Sequence, residues 1–69
     1  MNELLDISVV IPVYNEEDNL GPLMEELETA LTQTGKTFEV ICVNDSSTDA
    51  SLTTLKTLRG SRAWLRIID

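Results

Sequence analysis

Two rhythms of apolar and polar residues alternate along the chain, and each change of rhythm marks the end of an element. Ile7–Val13 (ISVVIPV) is short, β-branched and nearly all apolar, the pattern of a strand covered on both faces. Pro12 removes a backbone donor, which predicts a place near the strand's end or beside an interruption of the ladder. Leu20, Leu23, Met24, Leu27, Ala30 and Leu31 then recur every three or four residues, with Glu25, Glu26 and Glu28 on the other side. That spacing predicts an amphipathic helix. Pro22 fits only the first turn of such a helix, and Gly35 is placed to end it in a left-handed cap.

The same two rhythms then repeat. Phe38–Val43 predicts a second strand, Leu52, Leu55 and Leu58 predict a second helix closed by Gly60, and Ala63–Ile68 (AWLRII) predicts a third strand. A displacement of thirty positions sets Val10, Ile11 and Val13 over Val40, Ile41 and Val43, with a polar cluster following in both places. The reading is a βαβαβ unit in which two strand-helix-strand crossovers share the middle strand. Right-handed crossovers give three parallel strands in the order 3-2-1 with both helices on one face. The other face and the first strand's edge are then left uncovered, so the isolated chain is expected to self-associate as a homo-oligomer.

Composition narrows the picture. A chain of 69 residues forms at most one domain and buries only about 60% of the surface its unfolded form exposes, so marginal stability is expected. The 42% hydrophobic content is globular, not disordered. Five Lys and Arg against twelve Asp and Glu give a net charge of −7, which disfavours nucleic acid and anionic membrane as partners. Lys36, Lys56, Arg59, Arg62 and Arg66 form no run, the distribution of a solvated surface. Cys42 is the only cysteine and there is no histidine, so it reads as a small core residue and not a catalytic thiol. The acidic start MNELLD is unlike a signal peptide, and no apolar run approaches the roughly 20 residues of a membrane span.

Both candidate strands finish in polar residues, YNEED after the first and NDSSTD after the second. In open α/β sheets ligands bind outside the carboxyl ends of the strands. Structural roles compete for the same residues. Glu16, Glu17 and Asp18 favour a helix dipole, and Asp45, Ser47, Thr48 and Asp49 are all N-cap types of which one is expected to cap the second helix. Tyr14 could cover the sheet's edge. No phosphate loop is present: there is no G-x-G-x-x-G and no G-x-x-x-x-G-K. Asp45, Ser47 and Asp49 open like a calcium loop, but Ala50 stands where Gly is needed and Lys56 where a bidentate Glu is needed. A receiver domain with Asp69 as acceptor fits poorly, because Tyr14 and Asn15 intervene between the strand and the acids.

SVVIPVYNEEDNL followed by FEVICVNDSSTDAS resembles the opening of a family 2 glycosyltransferase. The resemblance is strongest to bacterial membrane-associated members that move a sugar from a nucleotide to a polyprenyl phosphate, akin to dolichol-phosphate mannosyltransferases. It implies a GT-A fold in which residues 1–69 form the amino-terminal half of a Rossmann-like nucleotide-binding domain, ending before the D-x-D motif. By motif position, Pro12 and Tyr14 would line the base and ribose pocket, Glu16 would accept hydrogen bonds from ribose hydroxyls, and Asp45 would accept one from the base's ring N–H. A carboxylate accepts only, which suits hydroxyl and imino donors. Where many relatives read D-D-G-S-T-D-G, this chain has Asn44, Asp45, Ser46, Ser47, Thr48, Asp49 and Ala50. Losing both glycines makes the loop less permissive of positive φ.

The resemblance implies an inverting transfer from a UDP- or GDP-sugar to a lipid phosphate. It also implies Mg2+ or Mn2+ held by ligands beyond Asp69, no catalytic or metal-binding residue within the chain, and an inactive fragment. The expected location is cytoplasmic, with the full-length enzyme at the cytoplasmic face of the membrane. The alternative is a stand-alone acidic α/β module that self-associates and catalyses nothing.

Overall fold

The computed structural model describes residues 5–45 and 49–68, in the order β1 (Ile7–Val13), α1 (Glu17–Gln33), β2 (Phe38–Asn44), α2 (Ser51–Arg59), β3 (Leu65–Ile68). The three strands are parallel with β2 in the centre, the order expected from the sequence. Val9 lies opposite Val40, which lies opposite Leu65, and Pro12 lies opposite Val43 and through it Ile68. Pro12 is the penultimate residue of an edge strand, where a missing donor disturbs the ladder least.

Strand alternation divides the sheet into two faces. Val13, Val40, Cys42 and Leu65 point to the side that packs on Leu20, Met24, Leu31 and Leu55, and these eight form the core. Ile7, Val9, Ile11 and Ile67 extend it on the same face, so both helices cover one side of the sheet. Phe38 and Trp64 close one end with ring centroids 5.4 Å apart and tilted by 54°. Ser8, Val10, Pro12, Arg66 and Ile68 are exposed on the opposite face, with Glu39, Ile41 and Val43 half-buried among them. The sequence of β1 is that of a strand covered twice; only one cover is supplied here.

Several local expectations are corrected. Helix α1 begins at Glu17, so Pro22 stands in its second turn, not its first. The Glu16 carbonyl accepts from the N–H groups of Asn19 and Leu20, and burial of Leu20 and Met24 favours helix on both sides of the proline. Pro22 removes only the donor that would have met Asp18 O. Ala30 is exposed despite its place in the spacing. Gly35 does take φ +70 one residue after the Thr34 C-cap, but Gly60 ends α2 with φ −56 in an ordinary right-handed conformation. Residues 60–64 form turns, with Leu65 N–H donating to Arg62 O at 3.0 Å, so β3 starts at Leu65 and not at Ala63.

Candidate functional site

The carboxyl ends of β1 and β2 lie side by side, because Val13 pairs with Asn44 and the Asp45 N–H donates to Val13 O at 2.9 Å. The residues assigned to nucleotide binding all lie at this edge. Pro12 is exposed on the uncovered face, and Tyr14, one residue beyond β1, is 58% exposed. Tyr14 therefore does not serve as a cover for the sheet. Asp45 is exposed one residue beyond β2. Glu16 is half-buried at the N-cap of α1, with no capping hydrogen bond from its side chain. One of its carboxylate oxygens accepts from the Asn19 amide at 3.1 Å. A carboxylate has about four lone-pair sites, so acceptor capacity remains at both Glu16 and Asp45 for a donor-rich ligand.

The turn between β1 and α1 passes through the left-handed region at Asn15, φ 50, a conformation that asparagine tolerates better than most residues. Its Oδ1 accepts from the Asp49 N–H at 3.3 Å. Asp49 in turn accepts at both oxygens. Oδ2 takes the Glu17 N–H at 3.3 Å, and Oδ1 takes the Ser51 N–H at 3.0 Å and the Ser51 hydroxyl at 2.5 Å. The same hydroxyl accepts from the Glu16 N–H at 2.9 Å. The Ser51 hydroxyl, followed by the other bonds, holds the Asp49 carboxyl below the usual aspartate range.

This network changes the capping assignment. The N-cap of α2 is Ala50, which offers no side-chain bond, and not Asp45 or Asp49; Ser47 and Thr48 lie outside the described residues. Asp49 satisfies the first N–H of α2 from one position earlier, and that of α1 as well. Sequence reasoning placed Asp49 among the capping types and in a rejected calcium loop, and missed Ser51. The signal for Ser51 was a polar residue four positions before Leu55 on the buried stripe of α2, where both are fully covered.

Asn44, 8% exposed, follows Val40 and Cys42 on the covered side of β2. A neutral amide there avoids burying a carboxylate. Cys42 is fully buried, and burial pushes its thiol up from the ordinary value. Among the described residues no three acids, cysteines or histidines gather as a metal site. Asp49 fits such a role poorly, since both its oxygens already accept from donors. A surface depression runs along the outer side of α1, lined by Pro22, Glu25, Glu26, Thr29, Ala30 and Gln33. It is an open groove on one helix, built from residues of α1 alone, away from the strand ends.

Comparison with known proteins decides the family. Residues 8–68 match the model of glycosyl transferase family 2. The chain belongs to that family. An uncharacterised glycosyltransferase of Synechocystis is 43% identical over 65 residues, 94% of this chain and 20% of that protein. A dodecaprenyl-phosphate galacturonate synthase of Rhizobium johnstonii is 38% identical over 66 residues, again 94% of this chain and 20% of the relative. An undecaprenyl-phosphate 4-deoxy-4-formamido-L-arabinose transferase of Pectobacterium carotovorum is 47% identical over 51 residues, 74% of this chain and 16% of the relative. The chain thus spans a fifth or less of the length of these relatives. The family 2 match runs through both strand ends and both helices. No helix among the described residues is long and apolar enough to cross a membrane.

Proposed function

We propose that this chain is the nucleotide-binding segment of an inverting glycosyltransferase that takes a UDP- or GDP-sugar and delivers the sugar to a polyprenyl phosphate. The observation that carries the reading is the family 2 match laid over two adjacent strand ends that present Tyr14, Glu16 and Asp45. The polyprenyl acceptor is favoured by the relatives named for dodecaprenyl- and undecaprenyl-phosphate. In this reading Tyr14 and Pro12 flank base and ribose, Glu16 accepts from the ribose hydroxyls, and Asp45 accepts from a ring N–H. Hydrogen bonds to a charged acceptor contribute about 1.5–3 kcal/mol each.

The acids that suit a nucleoside repel its diphosphate. The expectation of Mg2+ or Mn2+ is one of the family resemblance and attaches to a longer enzyme, and no step is routed through the ion here. By the same reasoning the 69-residue chain alone binds at most half of the donor and transfers nothing. It also pairs with a second copy of itself through the uncovered sheet face. That face carries the Glu39–Arg66 ion pair, joined at 3.3 Å, so these two charges are balanced within each copy although the chain's net charge is −7.

The test is a proton–nitrogen NMR titration of the chain with UDP-glucose and GDP-mannose in magnesium or manganese. Saturable shifts centred on Tyr14, Glu16 and Asp45 are expected, weakened about tenfold or more by Glu16→Gln or Asp45→Asn, as the loss of one charged hydrogen bond implies. If neither nucleotide moves these residues in the chain or in the longer protein, the reading fails.

A further inference from the structure

We propose that Asp49 is a positioning residue: its carboxylate, with the Ser51 hydroxyl, clasps the β1–α1 turn to the start of α2 and so sets Glu16 and Tyr14 in register with Asp45. The clasp joins segments more than thirty residues apart. Asp49 Oδ2 accepts from the Glu17 N–H at 3.3 Å, the Ser51 hydroxyl accepts from the Glu16 N–H at 2.9 Å, and Asp49 N–H returns a bond to Asn15 Oδ1 at 3.3 Å. Every donor in the set is a backbone amide or the Ser51 hydroxyl, so the bonds fix main chain and leave the side chain of Glu16 outside the network.

The chemistry explains why a carboxylate is needed. The first N–H groups of a helix have no partner within it, and here two helices begin close together. One acceptor-only group with two oxygens serves both; a neutral amide offers one oxygen and sets an NH2 against the remaining N–H. The partial positive charge of two converging helix starts adds to the attraction. Among the described residues no cation forms an ion pair with Asp49. The charged groups nearby on the packed elements are Glu16, Glu17 and Asp18 at the start of α1 and Asp45 at the end of β2, all acids, so the carboxylate is held ionised by hydrogen bonds and dipoles and not by an ion pair.

The role in ligand binding rests on the nucleotide reading above, and the clasp itself does not. The experiment compares the chain with Asp49→Ala, Asp49→Asn and Ser51→Ala, reading amide hydrogen exchange, the pH dependence of amide shifts, and nucleotide affinity. In the unchanged protein the amide shifts of Glu17 and Ser51 titrate together with one midpoint below the usual aspartate range, and that titration is gone in Asp49→Asn. Asp49→Ala speeds exchange at Glu17 about tenfold or more, moves the amides of Tyr14 and Asp45, and weakens UDP or GDP binding about tenfold although Tyr14, Glu16 and Asp45 are all present.

Asp49→Asn gives smaller changes of the same sign, and Ser51→Ala speeds exchange at Glu16. If Asp49→Ala does not fold, the asparagine and Ser51 variants carry the same readouts. Unchanged exchange at Glu17 in the folded variants overturns the clasp, and faster exchange with unaltered nucleotide affinity overturns its positioning role. Absence of nucleotide binding by the unchanged protein defeats the nucleotide reading and the positioning role with it, while the exchange and pH arms still decide the clasp.

Discussion

The two faces of the sheet are built from similar residues and live in different surroundings. On one, Val13, Val40, Cys42 and Leu65 are nearly or fully withdrawn from water under α1 and α2. On the other, Val10 is 62% and Ile68 54% exposed, although β-branched and aliphatic residues stand on both. β-Propensity and hydropathy describe what a strand residue tolerates; whether it is covered depends on what else the chain supplies. Here two helices can cover one side only, since both crossovers place them there. The difference teaches that the energy of this fold resides almost entirely on the helix side.

The largest expected effect tests that claim. Met24→Ala or Leu55→Ala removes a fully buried side chain, at about 2–5 kcal/mol. A domain of this size has of the order of 3–10 kcal/mol in total. Either variant is expected to be substantially unfolded by circular dichroism at 25 °C. Val10→Ala on the bare face should stay within about 0.5 kcal/mol of the parent in urea titration. Equal losses on the two faces would show that the bare face is already buried in solution by something else.

Next in size is association through that face. The register lines up Val10 with Ile41, and Pro12 with Val43 and Ile68, an apolar block beside the Glu39–Arg66 pair. Sedimentation of the chain at tens to hundreds of micromolar is expected to show dimers. Val10→Lys should weaken them at least tenfold, because a charge buried without a partner costs several kcal/mol. A monodisperse monomer across that range would remove self-association from the account.

Much of this arrangement was legible beforehand, for a physical reason. Period-two and period-3.6 patterning is local, so β1 was bounded correctly at Ile7 and Val13 and the strand order followed from chain connectivity. The readings that failed depended on forces outside the local window. Pro22 was assigned to a first turn because proline disfavours a helix interior, whereas burial of Leu20 and Met24 against the sheet carries the helix back to Glu17. Asp49 was read as a cap on its own helix because Glu17, its other partner, is thirty-two residues away. Ser51 was not noticed at all, for the same reason: its burial depends on the turn of another segment. At the candidate site, the positions of Tyr14, Glu16 and Asp45 at one sheet edge were legible. The clasp that aligns them was not.

The smaller effects sharpen the comparison through two titrating groups on opposite faces of β2. Cys42 on the covered face has its thiol pushed up by burial. A group whose folded pKa lies above its unfolded value contributes stability below the unfolded value and loses it as pH rises through the folded one. Cys42 should therefore begin to destabilise the fold as pH rises through the ordinary thiol value, and go on doing so until the folded value is passed. With a stability of about 3 kcal/mol the opened fraction is roughly one in a hundred, so a disulfide reagent should label Cys42 about a hundredfold faster in urea than in buffer. Comparable rates would mean that the helices do not seal their side of the sheet.

Glu39, three residues before Cys42 and on the bare face, is shifted the other way. The Ser8 hydroxyl donates to its Oε2 and lowers its pKa first, and Arg66 adds a hydrogen bond and its charge. The depressed value means that its contribution is present above the unfolded pKa and is lost as pH falls through the folded one. Solvent screens an exposed pair of this kind, so the expected change is small and sensitive to salt. Comparing the chain with Glu39→Gln in urea titrations from pH 7 to pH 3, at low and high salt, isolates it: the two proteins should converge in acid and separate toward neutrality, with Arg66's share of the separation shrinking in salt and Ser8's remaining. If association through the bare face buries this pair, the salt dependence should weaken as protein concentration rises, because water and ions are then excluded from it. The weakest interaction on the sheet thereby becomes a reporter of whether its uncovered side stays uncovered.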